Sequence, residues 1–405
     1  MPPLADASAP TVLPDGLVER ARAIDAEAIG ALAFELLSMW APPGHETEVA
    51  VRLAAAFREV AGLDDVQLDE EFPGSPSIIA WLRGDEPGPT IQWHGHLDAI
   101  DVPHAPARRE GDTLHGRGAC DMRAACAALV WAAKALRESG LPRRGNVLIT
   151  LHGLHESGGN EPLHRLIERG IHGDAAISGE VGGGLTLPVA SLGLTFWSIV
   201  VKRPGGSLHE TNAAPDLLRP LAVGRLLLER LDRLNERLAA HTHPYVGAES
   251  VYVGKFTCGD YFNTVPERCE LAGTRRHGPG TSLAAVRDEL EGLVEAVRHE
   301  TGADIETHWN SIAEAFSLDP SESIVAAIRE ANIAVTGHDL SLVGMRASGN
   351  AVHFQQEARI PAVYYGADYS TAHSDHESVS VSDLARIAGG YALASALYLE
   401  GAPRT

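Results

Sequence analysis

The sequence Trp-His-Gly-His-Leu-Asp at residues 93–98 is the stretch from which the fold and the chemistry of this chain can be argued. It follows Pro-Thr-Ile-Gln at residues 89–92, a short run after a Gly/Pro turn, and this pattern predicts a buried strand. At the end of such a strand, the imidazole of His96 can bind a metal ion while the carboxylate of Asp98 orients the ring. A histidine near a strand end is also commonly a structural polar group, so the metal hypothesis depends on the residues that follow.

Four further acidic or imidazole side chains stand near the ends of predicted elements. They are Asp121 before a helix at about 122–138, Glu156 after a strand at 145–151, Glu180 after a strand at 174–178, and His373 after a strand at 360–366. Asp121 alone would be read as a helix N-cap. Strands that alternate with helices predict an α/β fold whose mixed or parallel sheet is covered by helices on both faces. Such sheets place functional residues at the carboxyl ends of their strands, so we expect these side chains to lie together.

Length and composition indicate a globular protein of two domains. The 405 residues exceed the usual size of one core, and 44% hydrophobic with 21% charged residues is typical of globular chains. A formal net charge of −21 argues against nucleic acid or an anionic membrane as a partner. No apolar run reaches the roughly 18–20 residues of a membrane span. The N-terminus does not resemble a signal peptide and the four cysteines show no CxxC spacing, so we expect a cytoplasmic protein with reduced thiols.

The order of predicted elements changes at about residue 188. From there to residue 309 the pattern is strand, long helix, two strands, helix and strand, an order typical of a ferredoxin-like unit. We therefore predict a discontinuous catalytic domain, residues 1–187 and 310–405, with residues 188–309 inserted. The strand expected at 195–202 is strongly apolar. Residues 1–15 are rich in Pro and Ala and are expected to be loosely structured.

Two imidazoles and three carboxylates suit two divalent ions that share one carboxylate. Paired ions roughly 3.5–4 Å apart can activate water and polarise a carbonyl group. From about residue 30 to 400, the chain resembles the co-catalytic dizinc family of aminoacylase-1, acetylornithine deacetylase, succinyl-diaminopimelate desuccinylase and glutamate carboxypeptidase. The matching motifs are Gly-His-Leu-Asp (95–98), Gly-Arg-Gly-Ala-Cys-Asp-Met-Arg (116–123), Glu-Ser-Gly-Gly (156–159), Gly-Glu (179–180), Asn-Thr-Val-Pro (263–266), Gly-Thr-Arg-Arg (273–276) and Ala-His-Ser-Asp-His-Glu (372–377).

The resemblance implies a role for each candidate in a dinuclear centre. Asp121 would bridge two ions. His96 and Glu180 would hold one ion, and Glu156 and His373 would hold the other. Asp98 would orient His96, and the ions would be zinc, with cobalt or manganese as alternatives.

The resemblance also assigns functions to the inserted domain. It would be a lid through which two copies of the chain form a homodimer, with His209 reaching the neighbouring active site to stabilise an oxyanion. Asn263 and Arg276 match residues that bind substrate, and the planar guanidinium of an arginine suits a substrate carboxylate. Taken singly, each of these three residues could equally have a turn or surface role.

Two positions depart from the family pattern. The family carries Glu-Glu before a small-x-Gly turn, and the first Glu is its general base; here the pair is His155-Glu156. An imidazole can accept a proton near neutrality, so His155 is the predicted base. If it is not, Asp375 and His376 are the next candidates. The second departure is Ser-Gly-Asn-Ala at 348–351, where relatives often have an Asp, so that Asn350 brings substrate contacts nearby into question.

The sequence therefore predicts a metal-dependent hydrolase that cleaves an amide bond in a small N-acyl amino acid or peptide-like substrate. Two alternatives remain open because of His155. One is a member repurposed for acyl transfer or other non-hydrolytic chemistry in a biosynthetic pathway, and the other is a catalytically silent binding protein.

Overall fold

The computed structural model describes residues 15–183 and 185–401, so the expectation for residues 1–15 falls, apart from residue 15, outside the described part of the chain. The helices are α1 (Asp15–Arg22), α2 (Ala26–Ser38), α3 (Thr47–Glu59), α4 (Arg123–Glu138), α5 (Glu161–Glu168), α6 (Pro220–Leu238), α7 (Leu283–Thr301), α8 (Ser323–Thr336), α9 (Ala351–His353) and α10 (Val381–Gly401). A π-helical turn, Phe354–Ala358, continues α9.

The strands are β1 (Asp65–Asp69), β2 (Ser77–Arg83), β3 (Glu86–His96), β4 (Arg108–Glu110), β5 (Thr113–His115), β6 (Arg144–His152), β7 (Ala175–Gly182), β8 (Thr186–Ser191), β9 (Gly193–Lys202), β10 (Leu208–His209), β11 (Thr242–His243), β12 (Gly247–Ala248), β13 (Ser250–Cys258), β14 (Thr264–Val265), β15 (Arg268–His277), β16 (Asp304–Ala313), β17 (Phe316–Ser317), β18 (Ser341–Met345), β19 (Ala362–Gly366) and β20 (Ser378–Ser380).

These elements form two compact units. The first comprises the described residues up to Val189, together with Leu318–Leu342 and the described residues from Gly349 onward. The second comprises Ala190–Ser317 and Val343–Ser348. The observed division lies a few residues beyond the predicted boundaries at 187 and 310, and it also gives the second unit a short later segment that the sequence pattern did not indicate.

The first unit is built on a six-stranded mixed sheet of order β1-β2-β6-β3-β7-β19. Strands β6, β3, β7 and β19 are parallel, whereas β1 and β2 are antiparallel to their neighbours. The comparisons below confirm a mixed α/β fold. The β1–β2 hairpin makes the sheet mixed, because a short turn can join only antiparallel strands.

The register of this sheet explains which side chains share a face. Trp93 pairs with Ile149, while Gln92 pairs with Leu148 and His96 with His152. Because side chains alternate between faces, the even-numbered residues of β3 and β6 lie on one face and the odd-numbered ones on the other. Leu148 packs against Leu166 of α5, whereas the Trp93 indole donates to Ser395 of α10 at 2.8 Å. Helices therefore cover both faces, as predicted, and the histidines of β3 and β6 lie on the α5 side.

The second unit contains a four-stranded antiparallel sheet of order β13-β15-β9-β16 with α6 and α7 packed on it. The chain order is β-α-β-β-α-β, as the sequence pattern indicated. Strand β9 is central, and its residues Trp197, Ile199 and Val201 are buried in the core of this unit. The alternate residues Trp197, Ile199 and Val201 of the apolar run therefore belong to the core of this unit, whereas Phe196 is 46% exposed.

Some predicted elements differ in extent from the observed ones. The apolar spacing from about residue 17 to 40 predicts one helix, but the structure has two, because the Asp25 side chain accepts the Ala28 N–H and starts α2 as a separate helix. The Leu- and Arg-rich run at 214–239 predicts a helix over its whole length, but the helix begins at Pro220, in the first turn, where the missing N–H of a proline costs no hydrogen bond.

Two global expectations can be examined in the described residues. None of the helices there combines the length and apolar character of a membrane span. The four cysteines are free thiols, as expected. A cytoplasmic location stays a prediction.

Candidate metal centre

His96 is fully buried at the carboxyl end of β3. Its Nε2 lies 3.0 Å from Asp121 Oδ1, and its Nδ1 lies 3.1 Å from the Asp98 carbonyl oxygen and 3.5 Å from the Asp98 carboxylate. Burial alone would lower the pKa of His96, but the Asp121 and Asp98 carboxylates outweigh burial and raise it. Asp98 is thus placed to hold the ring, and its Oδ2 also accepts the Glu156 N–H at 2.7 Å.

Asp121 lies two residues before α4 and presents its two carboxylate oxygens to different partners. Oδ1 faces His96, and Oδ2 lies 3.1 Å from His373 Nε2. Its backbone N–H and that of Cys120 donate to the buried carboxylate of Glu377, each at 3.3 Å. Although burial would raise the pKa of Asp121, hydrogen bonds from His373 and His96 lower it. The side chain therefore stands as an anion between two groups of ligand-type residues.

Glu156 and His373 form the group on one side of Asp121. Glu156 Oε1 lies 3.1 Å from His373 Nε2, and Glu156 also has an oxygen near His96 and Asp121. His373 has a left-handed backbone (φ 60°), which costs a non-glycine residue roughly 1–2 kcal/mol. Hydrogen bonds to Asp121 and Glu156 raise the pKa of His373 to about 10.

Glu180 lies within β7, on the other side of the centre, and is 2% exposed. Its Oε2 accepts the backbone N–H of Asn350 at 2.7 Å, and its Oε1 lies 3.2 Å from His155 Nε2. A Cβ at position 349 would lie 2.6 Å from Glu180 Oε1, so only glycine allows this close approach.

Four carboxylates, those of Asp98, Asp121, Glu156 and Glu180, are therefore buried close together; each side chain is less than 10% exposed. Their ion-pair partners in the described residues are histidines alone, with no lysine or arginine. Buried anions are stable only when cations neutralise them. The mixture of imidazole nitrogens and carboxylate oxygens fits divalent zinc-type ions, and two sets of ligand-type atoms converge here: His96, Asp121 and Glu156, and His96, His155 and Glu180.

His155 occupies the position predicted for a general base, and its ring lies against the metal-ligand candidates. The ring stacks on His96, with centroids 4.1 Å apart and planes inclined by 23°. The lone pair of an imidazole nitrogen lies in the plane of its ring, so an ion bound by both histidines would have to lie near both ring planes. Two stacked planes that are nearly parallel do not meet within about 2.1 Å of the nitrogens, which is the length of a metal–nitrogen bond. In this orientation His96 and His155 cannot both coordinate one ion, so the geometry favours a proton-transfer role over a ligand role for His155.

The hydrogen-bond network behind His155 determines which of its nitrogens carries a proton. His152 is fully buried, and its Nδ1 donates to the Gly153 carbonyl at 2.7 Å. Burial lowers the pKa of His152 to about 3, so the ring is neutral and its Nε2 is an acceptor. The Asn350 atom that lies 3.3 Å from this Nε2 must therefore be the amide nitrogen.

The orientation of the Asn350 amide then fixes the tautomer of His155. With Nδ2 directed at His152 and at His94 Nε2 (3.1 Å), Asn350 Oδ1 faces His155 Nδ1 at 3.1 Å. Asn160 Oδ1 lies 3.0 Å from the same nitrogen. Two acceptors require that Nδ1 carry a proton, so the neutral ring has its lone pair on Nε2, and the protonated ring donates from Nε2 to Glu180 Oε1 at 3.2 Å. Asn350 is fully buried and lies against His155, and its expected effect on nearby substrate contacts stays a prediction.

The three predicted lid residues belong to the second unit, where His209 and Asn263 lie together. Strand β10 pairs His209 with Thr264 of β14, and Asn263 Nδ2 lies 3.2 Å from His209 Nε2. Arg276 is on β15, and its buried Nη1 has no hydrogen-bond partner among the described residues. Burial and the nearby Arg346 both lower the pKa of Arg276.

Sequence reasoning missed several residues that shape the centre. Tyr369 forms a hydrogen bond with Asp121, and burial and the surrounding carboxylates raise its pKa. Glu377 and Asn160 were also missed, and their chain positions offered no signal beyond closeness to predicted ligands. Asp375 and His376, the fallback bases, are exposed and have no hydrogen bond to the five candidate ligands.

The comparisons with known proteins show the family of this chain. The family described as peptidase family M20/M25/M40 matches residues 92–396. A succinyl-diaminopimelate desuccinylase of Methylocella silvestris is 28% identical over 366 residues, which are 84% of this chain and 90% of that protein. The N-formyl-4-amino-5-aminomethyl-2-methylpyrimidine deformylase of Bacillus subtilis is 23% identical over 381 residues, 85% and 88% of the two chains.

Solved structures share the fold. The aminopeptidase PepT from Bacillus cereus superposes with a TM-score of 0.79 at 18% identity, covering 93% of this chain and 99% of that one. A metallo-carboxypeptidase of family M20 from Sulfolobus solfataricus superposes with a TM-score of 0.72 at 18% identity, covering 91% and 99%. Because the family match spans well over half of the sequence, the chain belongs to peptidase family M20/M25/M40.

Proposed function

We propose that this protein hydrolyses an amide bond in a small N-acyl amino acid or peptide-like substrate at a dinuclear zinc-type centre. In this proposal Asp121 would bridge the ions, His96 and Glu180 would hold one, and Glu156 and His373 would hold the other. Cobalt and manganese are the alternative metals. Membership of a peptidase family and relatives named as a desuccinylase and a deformylase support hydrolysis over acyl transfer or a silent binding role.

The observation that carries the proposal is the placement of Asp121. Its Oδ1 faces His96 and its Oδ2 faces His373, and the carboxylate is almost fully buried. A carboxylate that served only as a helix N-cap would direct one oxygen to a backbone N–H of the helix. Instead, both oxygens face other ligand-type side chains, as a bridging ligand requires.

The protein residues supply the positioning and the proton transfer. When bound, the two ions would supply a water that is acidic near neutral pH and would polarise the scissile carbonyl. His155 accepts a proton at Nε2, because Asn350 and Asn160 hold the other proton on Nδ1. The same ring can then return that proton to the departing amine. Asp98 keeps His96 oriented through both transfers.

A carboxylate on the substrate is supported by Arg276. The buried Nη1 of Arg276 has no hydrogen-bond partner in the described part of the chain, and a second arginine, Arg346, lies nearby. Two positive charges with a free N–H donor favour an anionic ligand. We propose that Arg276 and Asn263 bind the substrate and that Arg276 takes its carboxylate. We also propose a homodimer formed through the second unit, in which His209 acts in the neighbouring active site; this rests on the family resemblance and on the exposure of His209.

The proposal is tested by loading purified protein with zinc, cobalt or manganese and screening N-formyl, N-succinyl and N-acetyl amino acids and dipeptides. We expect hydrolysis of at least one compound that chelation abolishes. Asp121→Ala should contain two ions fewer than wild type by elemental analysis, whereas Asp375→Asn, a change to an exposed carboxylate two residues from His373, should contain as many as wild type. Metal-loaded, folded protein that is inert on every compound would favour the repurposed alternative. Metal-free protein after zinc addition would exclude the proposed centre.

A further inference from the structure

A second group of metal-ligand residues lies outside this centre. His164 is on α5, His353 ends α9, and Glu357 is in the π-helical turn that follows. His353 and Glu357 are four residues apart, so their side chains point from the same side of consecutive helical turns. All three residues belong to the first unit, and none forms a hydrogen bond or ion pair with the five ligand candidates.

The three side chains converge on one point. His164 Nδ1 lies 2.8 Å from Glu357 Oε2, and His353 Nδ1 lies 2.9 Å from Glu357 Oε1. The two rings are nearly perpendicular, with planes at 86° and centroids 4.7 Å apart. Unlike the stacked rings of His96 and His155, perpendicular rings can direct their in-plane lone pairs at a common point from different directions. One potential ligand atom from each residue lies within 4.8 Å of the others.

The charges of the group also suit a cation. The Glu357 carboxylate lies between the two imidazole rings, and no lysine or arginine of the described residues forms an ion pair with it. The His164 ring also interacts with the backbone carbonyl of Gly159, and a backbone carbonyl commonly orients a metal-binding histidine.

We propose that His164, His353 and Glu357 bind one divalent transition-metal ion of the zinc class. Two imidazole nitrogens and one carboxylate oxygen form a donor set that zinc, cobalt and nickel prefer, whereas calcium and magnesium prefer oxygen alone. His353 is largely buried, while about a third of each of the other two side chains is exposed, so solvent can complete the coordination shell.

The ion would join two segments that support the catalytic centre. Helix α5 begins directly after Asn160, and α9 begins directly after Asn350; both asparagines accept from His155 Nδ1. A ligand on α5 and two on the α9 turn would hold these segments at a fixed separation. The ion therefore has a structural role, which is separate from hydrolysis.

The competing explanation is a metal-free triad in which hydrogen bonds between protonated rings and the carboxylate hold the two histidines against Glu357. The two explanations differ in metal stoichiometry. Chelated protein is titrated with cobalt, and bound equivalents are counted by elemental analysis after gel filtration while visible absorption is recorded. Wild type should bind one equivalent more than Glu357→Gln. Glu168→Gln, the same change at an exposed carboxylate on α5, should bind as many as wild type.

Asp121→Ala separates this site from the proposed catalytic one, because it should keep the single equivalent that Glu357→Gln loses. Equal stoichiometry in wild type and Glu357→Gln would overturn the proposal, as would an Asp121→Ala protein that binds no cobalt. If Glu357→Gln fails to fold by circular dichroism, His164→Gln replaces it, since that side chain is about one-third exposed and offers the same comparison.

Discussion

Replacing Asn350 with aspartate tests the hydrogen-bond network that fixes the His155 tautomer. The substitution keeps size and shape but exchanges the amide NH2, which donates to His94 at 3.1 Å and to His152 at 3.3 Å, for an acceptor oxygen. His152 cannot respond by changing tautomer, because its Nδ1 already donates to Gly153. Two contacts between a donor and an acceptor would become contacts between two acceptors in a fully buried site.

The folded variant can relieve this conflict by taking up one proton. The proton would go to the new carboxylate or to one of the adjacent imidazoles, whose pKa in the folded state is then raised above the unfolded values of about 3.9 and 6.5. A group with a raised folded pKa stabilises the protein below its unfolded pKa, and this contribution is lost as pH rises through the folded pKa. One extra bound proton makes the free energy of unfolding fall by about 1.4 kcal/mol per pH unit relative to wild type.

The assay is thermal unfolding of zinc-loaded wild type and variant at pH 6.5, 7.5 and 8.5. A decline of about 1.4 kcal/mol per pH unit corresponds, for a chain of this length, to a melting temperature that falls by roughly 2 °C per unit more than that of wild type. Asn350→Leu is the matched control: it loses the same donors without adding a charge, so it should be less stable than wild type at every pH with an unchanged slope. An Asn350→Asp protein with the slope of wild type would refute the assignment of the Asn350 amide and of the His155 tautomer.

Two further predictions concern the histidines of the centre. His155→Ala should lower turnover on the order of 100-fold or more with unchanged metal content, as loss of a general base does. His155→Glu should retain activity. An Ala variant as active as wild type would exclude His155 as the base. In metal-free protein, the neighbouring carboxylates raise the pKa of His155 to about 9 and that of His373 to about 10, despite burial. Both raised values stabilise the folded state below about pH 6.5, so the melting temperature of metal-free protein should decline from there to pH 10. Zinc should remove most of that decline, because it replaces the proton of His373 and its positive charge lowers the pKa of His155. Scanning calorimetry with and without zinc measures this, and identical pH profiles in the two states would contradict it.

Local sequence patterns were sufficient to locate the residues that converge on the centre. His96 ends β3, Glu180 lies near the end of β7, and Glu156 follows β6 by a short turn. These strands are parallel neighbours, so their carboxyl ends lie at the same edge of the sheet, and this does not depend on how the helices pack. The inserted β-α-β-β-α-β unit was likewise readable, because hydrophobic periodicity depends on nearby residues.

Other expectations required information that chain order does not contain. The apolar strand β9 could have been an edge strand or an interior strand, and only the structure shows that it pairs with both β15 and β16 and that Trp197, Ile199 and Val201 lie in a core. Helix boundaries at Asp25 and Pro220 also shifted, since a cap or a first-turn proline can override a continuous apolar pattern.

The sequence by itself determined the α/β class, the identity of the candidate ligands and the prediction that His155 takes the place of the usual base, because each depends on residue type and local order. Only the tertiary structure decided what His155 can do. Asn350, which accepts from His155 Nδ1, is 195 positions away in the chain. The buried His152 orients the Asn350 amide by a hydrogen bond, and the direction of that bond cannot be inferred from the spacing of residues in the sequence. His164 and Glu357 are 193 positions apart, and only the tertiary structure brings them together, because their contact depends on the packing of α5 against the π-helical turn after α9.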